Sequence, residues 1–183
     1  MYEYKCKIVK VVDGDTVDVD LDLGFGVWLR DERVRIMGID TPESRTSDPI
    51  EKIFGTAAKA RLVSLLGSDA ILLSQVKKDG ENMKGKFGRI LGDFHTISGE
   101  TVTHVLMAEG HAVAYTGGNK EKIQAEHLEN RYRLVSEGKV LVPEGTVITK
   151  PPLKVKEVVA EPVVEPVKMT TKKKTKKITA KKK

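Results

Sequence analysis

From Thr16 to Leu23 the chain alternates without a break, with Val17, Val19, Leu21 and Leu23 on one face and Thr16, Asp18, Asp20 and Asp22 on the other. A period of two excludes a helix, because successive side chains reach opposite faces only in an extended strand. One face needs a core and the other needs water, so the segment reads as a half-buried antiparallel strand. Cys6 to Val12 reads as a strand before it, closed by the turn signal Asp13-Gly14. Gly24-Phe25-Gly26 makes the next turn and Leu29 to Met37 a third strand. Asp69 to Val76 and Arg89 to Thr96 add two more across a Gly- and Lys-rich loop. Five strands of this kind can close as a small barrel.

Three segments carry helical spacing instead. Ala58, Leu62, Leu65 and Leu66 form one apolar stripe, stopped at Gly67, and Val102, Val105 and Leu106 form a shorter one, stopped at Gly110. Ala125, Leu128, Tyr132 and Val135 form the third, with Asn119 as its N-cap and Gly138 as its end. The expected class is therefore mainly β with helices, an α+β domain over residues 1–142.

From residue 143 the pattern dissolves. Residues 150–183 hold 12 of the 32 basic and 3 of the 26 acidic side chains, so they carry +9 and the body −3. Pro151, Pro152, Pro162 and Pro166 interrupt this stretch, and nine lysines fall between Lys168 and Lys183. Residues 143–183 are expected to be a disordered linker and basic tail, where any general attraction to polyanions resides. A single cysteine, Cys6, excludes an intramolecular disulfide. No stretch is long and apolar enough to span a bilayer, and Met1 to Lys7 lacks the apolar region of a signal peptide. The expectation is a cytoplasmic monomer with no membrane partner.

Chemistry concentrates at the ends of the strands. Asp15 shares parity with Val17, Val19 and Leu21, so it should point inward at the barrel mouth, where a charge is expensive unless compensated. Ile39-Asp40-Thr41-Pro42-Glu43 offers a second carboxylate, the Thr41 carbonyl and a turn that aims Glu43. Two carboxylates, a carbonyl and waters make an oxygen shell of the kind Ca²⁺ accepts, and neither clustered cysteines nor paired histidines point to zinc. Arg35 and Arg89 can each grip a phosphate through two donors. Two plainer readings stand beside these: Asp13-Gly14-Asp15 as a simple turn, and Thr41-Pro42-Glu43 as a helix start. Neither explains Arg35. Arg30 and Arg33 and the acidic row Asp18, Asp20 and Asp22 read as solvated strand charges, and the four histidines, His95, His104, His111 and His127, show no ligand spacing and read as ordinary surface or helix residues.

The order and wording of Val12-Asp13-Gly14-Asp15-Thr16-Val17, Arg35, Asp40-Thr41-Pro42-Glu43 and Lys86-Phe87-Gly88-Arg89 resemble the staphylococcal nuclease family, from about Val9 to about Gly138. The resemblance implies an OB-fold barrel with three helices and cleavage of DNA or RNA to leave 3′-phosphate ends, with single strands or frayed duplex preferred. It implies Ca²⁺ on Asp15, Asp40 and Thr41, Glu43 beside the attacking water, and Arg35 and Arg89 on the phosphate. Lys86, Phe87 and Tyr115 fall at substrate-contacting positions. Phe87 stands where the family usually has Tyr, and Thr116-Gly117-Gly118 supplies no second aromatic. Two other classes of function remain: a catalytically silent OB-fold that binds nucleic acid, and a tail-driven DNA-compacting protein.

Overall fold

The alternating segments pair as strands in the computed structural model, which describes residues 2–75, 85, 88–115, 117 and 119–150. In chain order the elements are β1 (Tyr2–Asp13), β2 (Thr16–Asp22), β3 (Trp28–Ile36), β4 (Ile39–Asp40), α1 (Pro49–Leu66), β5 (Asp69–Ser74), β6 (Ile90–His95), α2 (Val102–Glu109), β7 (Val113–Ala114) and α3 (Lys120–Ser136). Among the described residues β1–β2–β3–β6–β5 close into a barrel. β3 and β6 run parallel and the other neighbours antiparallel, which is the OB-fold arrangement with its three helices.

β1 is long because it serves two partners, β5 through Tyr2–Lys7 and β2 through Cys6–Asp13. Its register against β2 slips after Ile8 and again after Val11. Such bulges bend a strand around a barrel and re-aim side chains at its rim. The second slip falls immediately before the Asp13–Thr16 hairpin connection. The inward faces fill the barrel with Val17, Val19, Val34, Ile36, Leu72 and Phe94, all fully buried, and Leu62, Leu66, Val102 and Leu106 close its open end from α1 and α2.

The helix boundaries follow local chemistry. The Asp48 side chain accepts from the amides of Ile50 and Glu51 (2.9 and 3.3 Å), and Pro49 follows at the first helical position. The plainer reading of Thr41 as a helix start does not hold, because the helix begins at this cap and Thr41-Pro42-Glu43 is a loop. Thr101 caps α2 and Asn119 caps α3, accepting from the Glu121 amide at 2.8 Å. On α3 the packed face is His127, Arg131 and Leu134, whereas Leu128 and Tyr132 are 42% and 36% exposed. The expected stripe is thus out of phase. The inner face of α3 meets Phe54 of α1 and polar Asp40 of β4, so residues with polar heads are buried there.

Val140, Val142 and Ile148 join Phe54 and Leu134 in a small second cluster, so packing continues past residue 142. Leu153–Lys183, with the expected basic tail, lies outside the described residues.

α1 is tied to α2 by a two-pronged pair in which Arg61 Nε and Nη2 donate to Glu109 Oε2 and Oε1 at 2.7 and 2.6 Å. The Arg61 hydrogen bonds hold the Glu109 carboxyl below its ordinary value, against an opposing contribution from burial. A depressed folded value means the stabilisation is complete above the unfolded Glu value of about 4.3 and is lost as pH falls through the folded one. Because the pair is partly exposed, Glu109→Gln should cost no more than about 1 kcal/mol at neutral pH. Urea unfolding should show the gap between variant and wild type narrowing as pH is taken below about 4.3.

Candidate active site

At one rim of the barrel a cleft of about 640 Å³ opens between the β1–β2 connection, β3, the loop after β4 and the start of β6. Asp13, Asp15, Arg35, Glu43 and Arg89 all line it, with Arg33 and Arg45 at its sides. Four of the expected site residues are thus brought together from four separate segments.

Asp15 occupies the two-residue connection Gly14–Asp15 and still keeps the inward parity of β2, so the turn and the inward carboxylate are one feature. It is 3% exposed. Its Oδ1 accepts from the Thr16 hydroxyl at 2.8 Å, and its Oδ2 pairs with Arg35. Burial nevertheless raises its carboxyl above the ordinary value, and the charges of Asp13 and Asp40 add to this, while Arg35 and Thr16 oppose it. One guanidinium does not fully compensate this charge.

The loop carrying Glu43 is held by the same turn. The Ser44 amide donates to Asp13 Oδ1 at 3.2 Å, and Arg45 Nη2 donates to the Val12 carbonyl at 3.5 Å. Glu43 reaches solvent at the cleft mouth, yet its carboxyl is raised, first by partial desolvation, then by a hydrogen bond and repulsion from Asp13 and by Asp15. From the other side α1 passes close enough that a Cβ on Gly55 would stand 2.5 Å from both the Glu43 carbonyl oxygen and the Ser44 amide nitrogen. A Gly→Ala change inside a helix normally stabilises by about 1 kcal/mol. Gly55→Ala should do the opposite, because overpacking costs roughly 1–3 kcal/mol and the backbone it meets cannot rotate away. Thermal unfolding should register the loss, and displacement of Glu43 should lower any activity of the cleft.

Asp40 and Thr41 do not line the cleft. Asp40 touches it through Arg35 Nη2, at 3.5 Å from Oδ1, and its Oδ2 lies 3.0 Å from His127 Nε2. Thr41 is 5% exposed and packs on Gly14, where an added Cβ would stand 2.8 Å from its hydroxyl. Tyr115 is 44% exposed and sits outside the cleft, with its amide bonded to the Gly38 carbonyl at 2.8 Å. Lys86 and Phe87 lie outside the described residues.

Arg30 and Arg33 are not merely solvated. Each answers a carboxylate across the β2–β3 ladder, Arg30 with Asp20 at 2.6 Å and Arg33 with Asp18 at 2.6 and 2.9 Å. Asp18 and Asp20 of the acidic row are thereby paired, Asp22 accepts from the Gly24 amide, and Arg35 is the arginine of β3 that turns to Asp15. His111 is buried at 8% exposure and so is no surface residue, while His127 is a helix residue of α3 but buried, at 6%. Periodicity could not have found His127, since the apolar stripe of α3 points elsewhere.

Among the described residues no three Asp, Glu, His or Cys side chains converge closely enough to hold a metal ion. The donor chemistry still suits a hard cation. Asp15 and Asp40 both meet Arg35, Asp13 and Glu43 interact beside them, and the donors are all oxygen.

A family profile described as "Staphylococcal nuclease homologue" matches residues 33–138. The chain is 30% identical over 119 residues to Endonuclease YhcR of Bacillus subtilis (strain 168), covering 62% of this chain and 9% of that protein. It is 26% identical over 117 residues to an uncharacterized endonuclease of Escherichia coli, covering 64% and 65%. A thermonuclease of Staphylococcus intermedius is 31% identical over 126 residues, covering 67% of each chain. The chain thus spans less than two thirds of the first two relatives' length. The profile runs from the middle of β3 to the end of α3, through Arg35, Glu43 and Arg89, and on that match the chain belongs to the staphylococcal nuclease homologue family.

Proposed function

We propose that this chain is a Ca²⁺-dependent nuclease that hydrolyses phosphodiester bonds of DNA or RNA and leaves 3′-phosphate ends. The observation that carries the reading is the convergence of Asp15, Arg35, Glu43 and Arg89 on one cleft from separate segments. A silent binding module would have no use for a partly desolvated carboxylate beside two guanidiniums in one open cleft.

Glu43 takes a proton from the attacking water. Its raised carboxyl makes it a better base than an ordinary glutamate, and Asp13, by hydrogen bond and charge, helps keep it so. Arg35 and Arg89 donate to the non-bridging oxygens and offset the charge that builds on phosphorus. Asp15, Asp40 and the Thr41 carbonyl would hold Ca²⁺, which when bound supplies electrophilic polarisation of the phosphate. The 5′-oxygen leaves. An open cleft that admits one unstacked nucleotide favours single strands or frayed ends.

Mass spectrometry of products from a short single-stranded DNA incubated with Ca²⁺ tests the bond that breaks. The reading expects 3′-phosphate and 5′-hydroxyl ends; 5′-phosphate ends overturn it.

A further inference from the structure

We propose that His127 is a positioning residue for Asp40, holding its carboxylate so that only one oxygen faces Arg35. The proposal rests on the nuclease reading above. Asp40 belongs to a two-residue strand whose ladder with β7 consists of Ile39↔Ala114 and Asp40↔Val113. A pairing that short is marginal by itself and does not fix a side chain. Something else must fix this one, and α3 supplies it.

His127 is 6% exposed, and its Nε2 stands 3.0 Å from Asp40 Oδ2. An ionised carboxylate only accepts, so the Nε2–H donates. Three residues on, along the same helical face, Asn130 Nδ2 donates to the Ala112 carbonyl at 3.3 Å, immediately before β7. Two polar side chains of α3 therefore grip both strands of the small ladder. The remaining oxygen, Oδ1, faces Arg35 Nη2 at 3.5 Å.

Without the imidazole, Asp40 could rotate and take Arg35 in a two-pronged grip. Arg35 already pairs with Asp15, so a second firm partner would leave its guanidinium less free for a phosphate. The same rotation would turn away an oxygen that Ca²⁺ needs. Loss of an outer hydrogen bond of this kind typically costs about 10–100-fold in metal affinity.

The test compares His127→Leu, which fills the space without a donor, with His127→Gln, which keeps a terminal N–H. Calcium titration calorimetry of the full chain, without nucleic acid, is the first readout; thermal unfolding and a KM-against-kcat comparison on a single-stranded oligonucleotide accompany it. The expected result is at least about tenfold weaker Ca²⁺ binding for His127→Leu, with KM raised more than kcat is lowered at saturating Ca²⁺. His127→Gln should recover most of both. If the leucine variant does not fold, His127→Met, flexible and donor-free, takes its place. Wild-type Ca²⁺ affinity in the donor-free variants, or equal losses in the Gln and Leu variants, would overturn the proposal alone. A wild-type chain that binds no Ca²⁺ would overturn the cation site in the cleft and the role of His127 with it.

Discussion

Glu43→Gln is expected to lower turnover by about 10²–10⁴-fold, the usual contribution of a positioned general base. The substitution keeps the shape of the side chain and removes its ability to accept a proton. The loop should not move, because its backbone is pinned between the Asp13 side chain and Gly55. Oligonucleotide binding should therefore persist, and single-turnover rates with equilibrium binding on the same sample separate the two effects. A loss of less than tenfold would mean that another group takes the proton, and Asp13, hydrogen-bonded to Glu43, is the first to examine.

Removing either arginine should cost at least about 10²–10³-fold in rate, the worth of one donor aimed at transition-state charge. Arg35 is the counter-charge of buried Asp15, whose side chain is 5% exposed against 21% for Arg35. Stripping one partner from a buried pair costs about 3–5 kcal/mol, and a carboxyl already raised by burial softens this by taking up a proton. Arg35→Ala should thus lose stability and rate together. Arg35→Lys should restore the charge, and hence the stability, without the two-pronged grip, so its rate should stay low. Arg30→Ala is the control, since Arg30 is an exposed partner of Asp20 and does not line the cleft. If it harms the rate as much as Arg35→Ala, the assignment of Arg35 is wrong. Unfolding curves and initial rates for the four variants decide the matter.

Much of this architecture is legible in the residues, and the unread parts share a cause. Strict alternation marks β2 and carries Asp15 inward, and Asn119, Gly67 and Gly110 mark helix ends because caps and left-handed stops are local chemistry. The β4–β7 ladder is too short to show a period and exists only because tertiary structure brings its strands together. The phase of α3 departs from its apolar spacing for the same reason. Its apolar spacing favours Leu128 and Tyr132, but the surface it docks on includes a carboxylate, so His127 and Arg131 are buried instead. The alternative helix start at Thr41-Pro42 competes with Asp48-Pro49 seven residues on, and the cap that also suits the close passage of Gly55 prevails. Asp15, Arg35, Glu43 and Arg89 meet in one cleft, as the motifs resembling the family imply, whereas no motif or spacing signals the contact of His127 with Asp40.

The most direct test of the account is the cutting of a short single-stranded DNA by the full-length chain, with Ca²⁺, with excess chelator, and with Ca²⁺ restored. The account predicts cleavage in the first, none in the second and recovery in the third, because Asp15, Asp40 and their acidic neighbours otherwise repel the phosphate. Undiminished cutting in chelator, or no cutting with Ca²⁺, would contradict it.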